Sequence, residues 1–238
     1  YFQPIYNTDN DSLSGAEALI RWNSKKYGFT GPNTFIPLLE DSALIIPLGR
    51  WIINTAAKAC NRWITSIPDF VMHINLSFVQ IVKSNIVKDV LENIERYSAA
   101  NNHYVFEITE TIEMDQIPAV QNVFKEFVKN DFRFAIDDFG TGYSNYGYMR
   151  DRTFDIVKVD RSFVTDIDKL KDNYLMVSFI IKMAHEMGLH VCIEGVETKE
   201  ELSCVKRLGA DYIQGYYYGK PVCLQDFEEQ HLKRFVLG

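Results

Sequence analysis

The chain has 238 residues, a length at which a barrel forms one domain although average domain size alone allows one or two. Apolar residues make up 47% and charged residues 24%, with 16 Phe and 13 Tyr, so disordered and fibrous classes are excluded and core material is ample. Acidic residues outnumber basic ones 32 to 25, a formal charge of −7, which excludes the basic footprint of a chain that grips a DNA or RNA polymer or a membrane surface.

Cys60, Cys192, Cys204 and Cys223 form no C-x-x-C pair and have no His at zinc-ligand spacing. Reduced thiols of a cytoplasmic chain are expected. No window approaches the roughly 18 apolar residues of a membrane span, and no signal peptide opens the sequence. Because Tyr1 already lies inside an apparent strand, residues 1–238 read as a single domain cut from a longer protein.

Taken in chain order, the predicted strands are Tyr1–Ile5, Ala16–Ile20, Val71–Leu76, Tyr104–Ile108, Arg133–Asp137, Ile156–Asp160, His190–Glu194 and Tyr212–Ile213. Between them the predicted helical segments are Pro32–Ser42, Gly49–Ser66, Phe78–Ala100, Ile117–Asn130, a short turn at Ser144–Arg150, Asn173–Gly188, Lys199–Leu208 and Leu224–Phe235. Thr198 with Glu201 reads as a capping box, and Gly188 and Gly209 as helix stops.

Eight strands at about 30 residues per βα unit suit a (β/α)8 barrel, with a doubly wound open sheet as the rival. Polar residues sit within or at the C-terminal ends of the apolar runs: Glu17, Asn75, Glu107, Asp137, Lys158 with Asp160, Glu194 and Gln214. In a barrel they converge on one mouth, whereas in an open sheet they line an edge. Lys158 and Asp160, two apart, are expected to point inward together. The polar stretch Asn7–Ser14 gives the first two strands a hairpin spacing, which a barrel with an antiparallel first strand accommodates.

Any one of these acids alone reads as a solvated loop group. Glu17, Glu107, Asp137, Asp138 and Glu194 gathered together would repel one another unless a cation neutralised them, so the cluster points to a metal site. An all-oxygen donor set, with the amide of Asn75, favours Mg²⁺ or Mn²⁺ over zinc. The neighbours Asp137 and Asp138 suit two ions, one carboxylate bridging them. Lys158 is either an interior ion-pair partner of Asp160 or the group that holds an attacking water. The segment Asp138-Phe-Gly-Thr-Gly-Tyr-Ser144 reads as a lid or metal-site loop, or as a plain turn. Asn145 excludes a G-x-G-x-x-G loop.

Gln3-Pro4-Ile5, Glu17-Ala18-Leu19-Ile20-Arg21, Asn75-Leu76-Ser77, Glu107-Ile108-Thr109-Glu110, Asp137-Asp138-Phe139-Gly140-Thr141-Gly142-Tyr143-Ser144, Lys158-Val159-Asp160-Arg161-Ser162-Phe163, Glu194-Gly195-Val196-Glu197-Thr198 and Gln214-Gly215-Tyr216 together resemble the signature of the EAL domain, from Tyr1 to about Pro221. The resemblance implies a TIM-like (β/α)8 barrel with its first strand antiparallel, and a phosphodiesterase that hydrolyses cyclic di-GMP to linear pGpG with two Mg²⁺ or Mn²⁺ ions. It further implies Glu17, Asn75, Glu107 and Asp137 as ligands of one ion and Asp137 with Asp138 as ligands of the second. Lys158 would hold the nucleophilic water, and Glu194 would contact metal and water as general base. Gln3, Leu19, Arg21, Asp160 and Gln214 would contact the substrate, and Glu110 would anchor the loop after Asp138. A homodimer is implied as well. The alternative is a weak or inactive cyclic di-GMP receptor, as in members that have lost a metal ligand.

The chain departs from the family pattern at Ser144-Asn145-Tyr146-Gly147-Tyr148-Met149, which bears on rate and regulation, and at Ile193, which bears on packing. Glu17→Ala and Lys158→Ala are expected to remove activity and leave the fold intact.

Overall fold

The polar turn after the first apolar run reverses the chain. In the computed structural model, which describes residues 1–109, 118–142 and 153–232, β1 (Phe2–Asn7) pairs antiparallel with β2 (Leu13–Ala18), Gln3 opposite Glu17 and Ile5 opposite Gly15. The side chains of Asn7 and Asn10 accept backbone hydrogen bonds from Asp9 and Ser12, the local bonding that makes Asn a turn former. A two-stranded sheet, β3 (Trp22–Ser24) with β4 (Gly28–Thr30), follows outside the barrel and was not expected from the sequence. Then come β5 (Val71–Asn75), β6 (Tyr104–Thr109), β7 (Arg133–Phe139), β8 (Ile156–Val159), β9 (His190–Glu194) and β10 (Tyr212–Gln214), parallel to β2 and to one another. β10 pairs antiparallel with β1 and closes the order β1-β10-β9-β8-β7-β6-β5-β2. The expected TIM-like barrel with an antiparallel first strand is therefore observed, and the open sheet is not.

Helices cover the outside: α1 (Pro32–Asp41), α2 (Ile45–Trp63), α3 (Phe78–Lys83), α4 (Ile86–Ile94), α5 (Pro118–Lys129), α6 (Lys171–Glu186), α7 (Lys199–Leu208) and the short α8 (Leu224–Phe227). The single helix expected over residues 78–100 is two. Ser84 is extended, and the Asn85 side chain accepts from the Lys88 amide to start α4 afresh, a capping role these residue types take in preference to helix interiors. The Thr198–Glu201 capping box is present, and Gly209 ends α7 in the left-handed conformation at φ 85°. The predicted turn at Ser144–Arg150 lies outside the described residues, as does the end of the last predicted helix.

Alternation along the strands sorts the core into two parts. Phe106, Phe134, Val157, Val191 and Ile193 face outward into the helical layer, where Trp63 and Phe127 are also fully buried. A smaller cluster, Ile5, Val105, Ala135, Ile156 and Cys192, plugs the barrel interior. Two residues from each of these on the same strand stand Gln3, Glu107, Asp137, Lys158 and Glu194. Period-two geometry thus puts the polar group of every one of these strands directly above the apolar plug, at the C-terminal mouth.

Candidate active site

Lys158 is the hub of this polar layer. It is fully buried, and its Nζ lies 2.6 Å from Glu194 Oε1, 2.8 Å from Glu107 Oε2, 3.1 Å from Asp137 Oδ1 and 3.5 Å from Glu17 Oε2. Burial alone would depress an ammonium, but the surrounding Asp137, Glu107, Glu17 and Glu194 hold it well above its ordinary range. Asp160, its ion-pair partner in one of the two readings from sequence, is not among these contacts: its carboxylate accepts from the Ser162 amide at 2.9 Å and caps a single 3₁₀ turn at Arg161–Phe163. β8 ends at Val159, so the inward alternation that would have aligned Asp160 with Lys158 stops one residue short.

The acids diverge according to their partners. Glu17 accepts from Asn75 Nδ2 and from Gln214 Nε2, both at 2.6 Å; burial would raise its carboxyl, but Lys158 and these hydrogen bonds outweigh burial and lower it. Glu107 is pushed well above the usual carboxylate range by burial and by the charge on Glu17. Glu194 rises to about 8, through burial and then the repulsion of Asp137 and Glu17 that Lys158 only partly offsets. Asp138 is raised by burial, Asp137 and Asp160.

Neighbours on a regular strand face opposite sides, so Asp137 and Asp138 would not ordinarily share a site. Here the β7–β8 register shifts between Ile136 and Phe139: three steps along β7, to Phe139, match two along β8, from Val157 to Val159. This bulge, with Asp138 at φ 54°, re-aims the second acid. Carboxylate oxygens of Asp137, Asp138 and Glu194 come within 4.8 Å of one another. The donors fit a hard divalent cation. Four carboxylates surround one ammonium, every donor is oxygen, and among the described residues the buried Asp137 Oδ1 has the ionic contact with Lys158 and no hydrogen-bond donor.

A cleft of about 740 Å³ opens beside these groups, lined by Glu17, Leu19, Arg21, Asn75, Ser77 and Asp137 among others. Arg21 donates one terminal nitrogen to the carbonyl of Ile20 at 2.8 Å. Gln3 and Gln214 are buried beneath the mouth: Gln214 Nε2 reaches Gln3 Oε1 at 3.1 Å as well as Glu17, and Gln3 donates to the Gly219 carbonyl at 3.4 Å. Gln214 thus supports Glu17 directly, and Gln3 touches Gln214. Ile193 is fully buried between Val159 and Ile213, in register with both. Glu110, Tyr143 and the altered loop Ser144–Met149 lie outside the described residues.

No motif in the sequence singles out His73. It is buried, and its Nδ1 lies 2.7 Å from Glu107 Oε1. Burial, then the charge of Lys158, push the imidazole down to about 3, so the ring is neutral at pH 7. Its position two residues before Asn75 on the same strand was the available signal.

A closed βα barrel whose C-terminal mouth gathers four carboxylates around one lysine, with Asp138 beside Asp137 and Glu194, defines a barrel protein with an acidic cluster whose oxygens could hold a cation. The chain belongs to the EAL-domain family, which it matches over residues 1–221. It is 31% identical over 225 residues to the cyclic di-GMP phosphodiesterase PdeL of Escherichia coli, covering 93% of this chain and 62% of PdeL. Among solved structures, the EAL enzyme Bd1971 in its cAMP- and cyclic-di-GMP-bound form superposes with a TM-score of 0.90 at 36% identity, covering 96% of this chain and 63% of that one. The cyclic di-GMP complex of the PaMucR phosphodiesterase superposes with a TM-score of 0.89 at 30% identity, covering 95% and 92%. The chain spans 35%, 29% and 26% of the length of three relatives from Synechocystis, Bacillus subtilis and Sinorhizobium fredii.

Proposed function

We propose that this chain is a metal-dependent phosphodiesterase that hydrolyses cyclic di-GMP to linear pGpG. The observation that carries this reading is the convergence of Asp137, Asp138 and Glu194 beside buried Lys158 at the edge of a cleft large enough for a nucleotide. Two Mg²⁺ or Mn²⁺ ions would be held by Asp137, Asp138 and Glu194 with Glu17, Asn75 and Glu107. When bound, such ions supply Lewis acidity and lower the pKa of water.

The chain's own groups do the rest. Lys158 Nζ positions the attacking water and offsets negative charge as it grows on the phosphoryl oxygens. Glu194 takes the water proton at its carboxylate; the hydroxyl adds to phosphorus, one P–O bond breaks, the leaving sugar oxygen takes a proton from solvent, and Glu194 returns its own to solvent. Arg21, at the cleft wall, grips the second phosphate through the guanidinium nitrogens not spent on Ile20. Leu19, Asp160, Gln3 and Gln214 complete the substrate contacts, the last two after releasing their present bonds, and Glu110 anchors the loop beyond Asp138.

Retention of Glu17, Asn75, Glu107, Asp137, Asp138, Lys158 and Glu194 favours an enzyme over a receptor that binds without turnover. Purified protein with cyclic di-GMP and Mg²⁺ or Mn²⁺ at mildly alkaline pH should yield pGpG on chromatography; no product with either ion sinks the proposal. Tight metal-free binding by calorimetry, together with that failure, would establish the receptor instead. We place the chain in the cytoplasm as one domain of a longer signalling protein, acting as a homodimer. Its four cysteines are free thiols, and no helix among the described residues is long and apolar enough to cross a membrane. Sedimentation over a concentration series tests the dimer.

A further inference from the structure

Among the described residues, the proposed chemistry leaves a buried polar group beneath the mouth, His73, without a task. His73 is 4% exposed, and β5 places it two residues below Asn75 with both side chains turned to the barrel interior. Its Nδ1 meets Glu107 Oε1 at 2.7 Å, while Lys158 Nζ meets the other oxygen, Oε2, at 2.8 Å. The strand neighbours below are apolar: Val105, two residues before Glu107, belongs to the plug with Ile5, Ala135 and Ile156.

We infer that His73 is a positioning residue for cation binding: its Nδ1–H ties down Oε1 of Glu107 and thereby sets the carboxylate plane that the mouth sees. This role rests on the metal-dependent reading given above. A carboxylate held at one oxygen cannot swing about its terminal torsion, which is otherwise broad and two-fold. Without the imidazole, Oε1 would face hydrocarbon. The carboxylate would then turn both oxygens toward Lys158, closing the ion pair and withdrawing from any cation in the mouth. A ligating group supported in this way is the usual arrangement of metal sites, where the outer hydrogen bond orients the inner ligand.

Three measurements test the inference. In ¹⁵N NMR of histidine-labelled wild-type protein, His73 should appear as the Nδ1–H tautomer; the Nε2–H tautomer would overturn the inference outright. Calorimetry with Mn²⁺ alone, without nucleotide, compares wild type with His73→Leu and His73→Asn. The Asn amide nitrogen can occupy the place of Nδ1, so His73→Asn should keep most of the affinity, whereas His73→Leu should lose roughly 10–100-fold. In hydrolysis, the Leu variant should need more metal for half-maximal rate with little change in KM for the nucleotide.

A Leu variant that binds Mn²⁺ like wild type refutes the inference. So does an Asn variant as weak as Leu, which would mean that ring packing alone matters. If His73→Leu does not fold, the tautomer and the Asn comparison decide. Wild-type protein that fails to bind Mn²⁺ removes the metal-dependent reading itself, and the positioning role with it.

Discussion

Removing the ammonium at the hub of the mouth is the most searching perturbation. In Lys158→Met, four carboxylates that now lie 2.6–3.5 Å from one cation would be left facing one another with Lys158 fully buried in the parent. At an effective dielectric of about 20, each of these contacts is worth about 5–6 kcal/mol of gross attraction when its carboxyl is ionised. Desolvation and repulsion among the acids offset most of that. Uncompensating a buried ionic cluster costs about 3–5 kcal/mol, a large share of the roughly 5–15 kcal/mol that holds a domain together.

Thermal unfolding in chelator should therefore drop by about 6–20 °C, from about 2–4 °C per kcal/mol for a chain of this size. The loss should grow with pH. Glu107 and Glu194 already have raised carboxyls and would lose the lowering influence of Lys158, and an acid raised in the folded state contributes stability at low pH that disappears as pH rises. A variant within about 0.5 kcal/mol of wild type at pH 8, the range of an indifferent surface change, would refute this reasoning. The prospect revises the expectation from sequence that this position serves the site and not the fold.

Three further outcomes are expected. In metal-free wild-type protein, denaturant midpoints should fall as pH rises from the ordinary carboxyl range to about 8, the value for Glu194, and Mn²⁺ should flatten that slope while releasing protons measurable in buffers of different ionisation enthalpy. Gly195→Ala should cost about 1–3 kcal/mol and reduce turnover, because φ is 71° and a Cβ would lie 2.3 Å from Arg161 Cβ, displacing adjacent Glu194; unchanged stability and rate would contradict this. At the opposite end of the barrel, Asp211 meets His185 Nε2 at 2.8 Å and His190 Nδ1 at 3.2 Å; its hydrogen bond raises His190, so that support is present below the usual imidazole range and fades as pH rises. Asp211→Asn should thus destabilise more at pH 5.5 than at pH 8.5, and an equal loss at both would exclude the charge effect.

Much of the architecture was readable because burial is periodic. Runs such as Val71–Asn75 and His190–Glu194 are recovered with the same ends or nearly so, and the acid or amide at each marks the mouth. Antiparallel entry followed from one polar turn. The eight motifs carried the family with them, since a site assembled from strand ends leaves its residues at regular intervals along the chain.

Other features depend on partners distant in sequence. The break at Ser84–Asn85 and the end of β8 before Asp160 were decided by local capping, where a side chain competes with the backbone pattern that periodicity describes. That Asp137 and Asp138 share a site needs the β7 bulge, and a bulge exists only against a neighbouring strand. That Lys158 binds four acids, and that His73 braces Glu107, depends on barrel closure bringing β2, β5, β6, β7, β8 and β9 around one axis. Except for the facing of Asp138 and Asp160, the residues, their order and, along the regular stretches of strand, their facing were thus legible in the chain alone. Their distances and protonation were not, because Coulomb energy and desolvation act through space and take their values only once the barrel has shut water out.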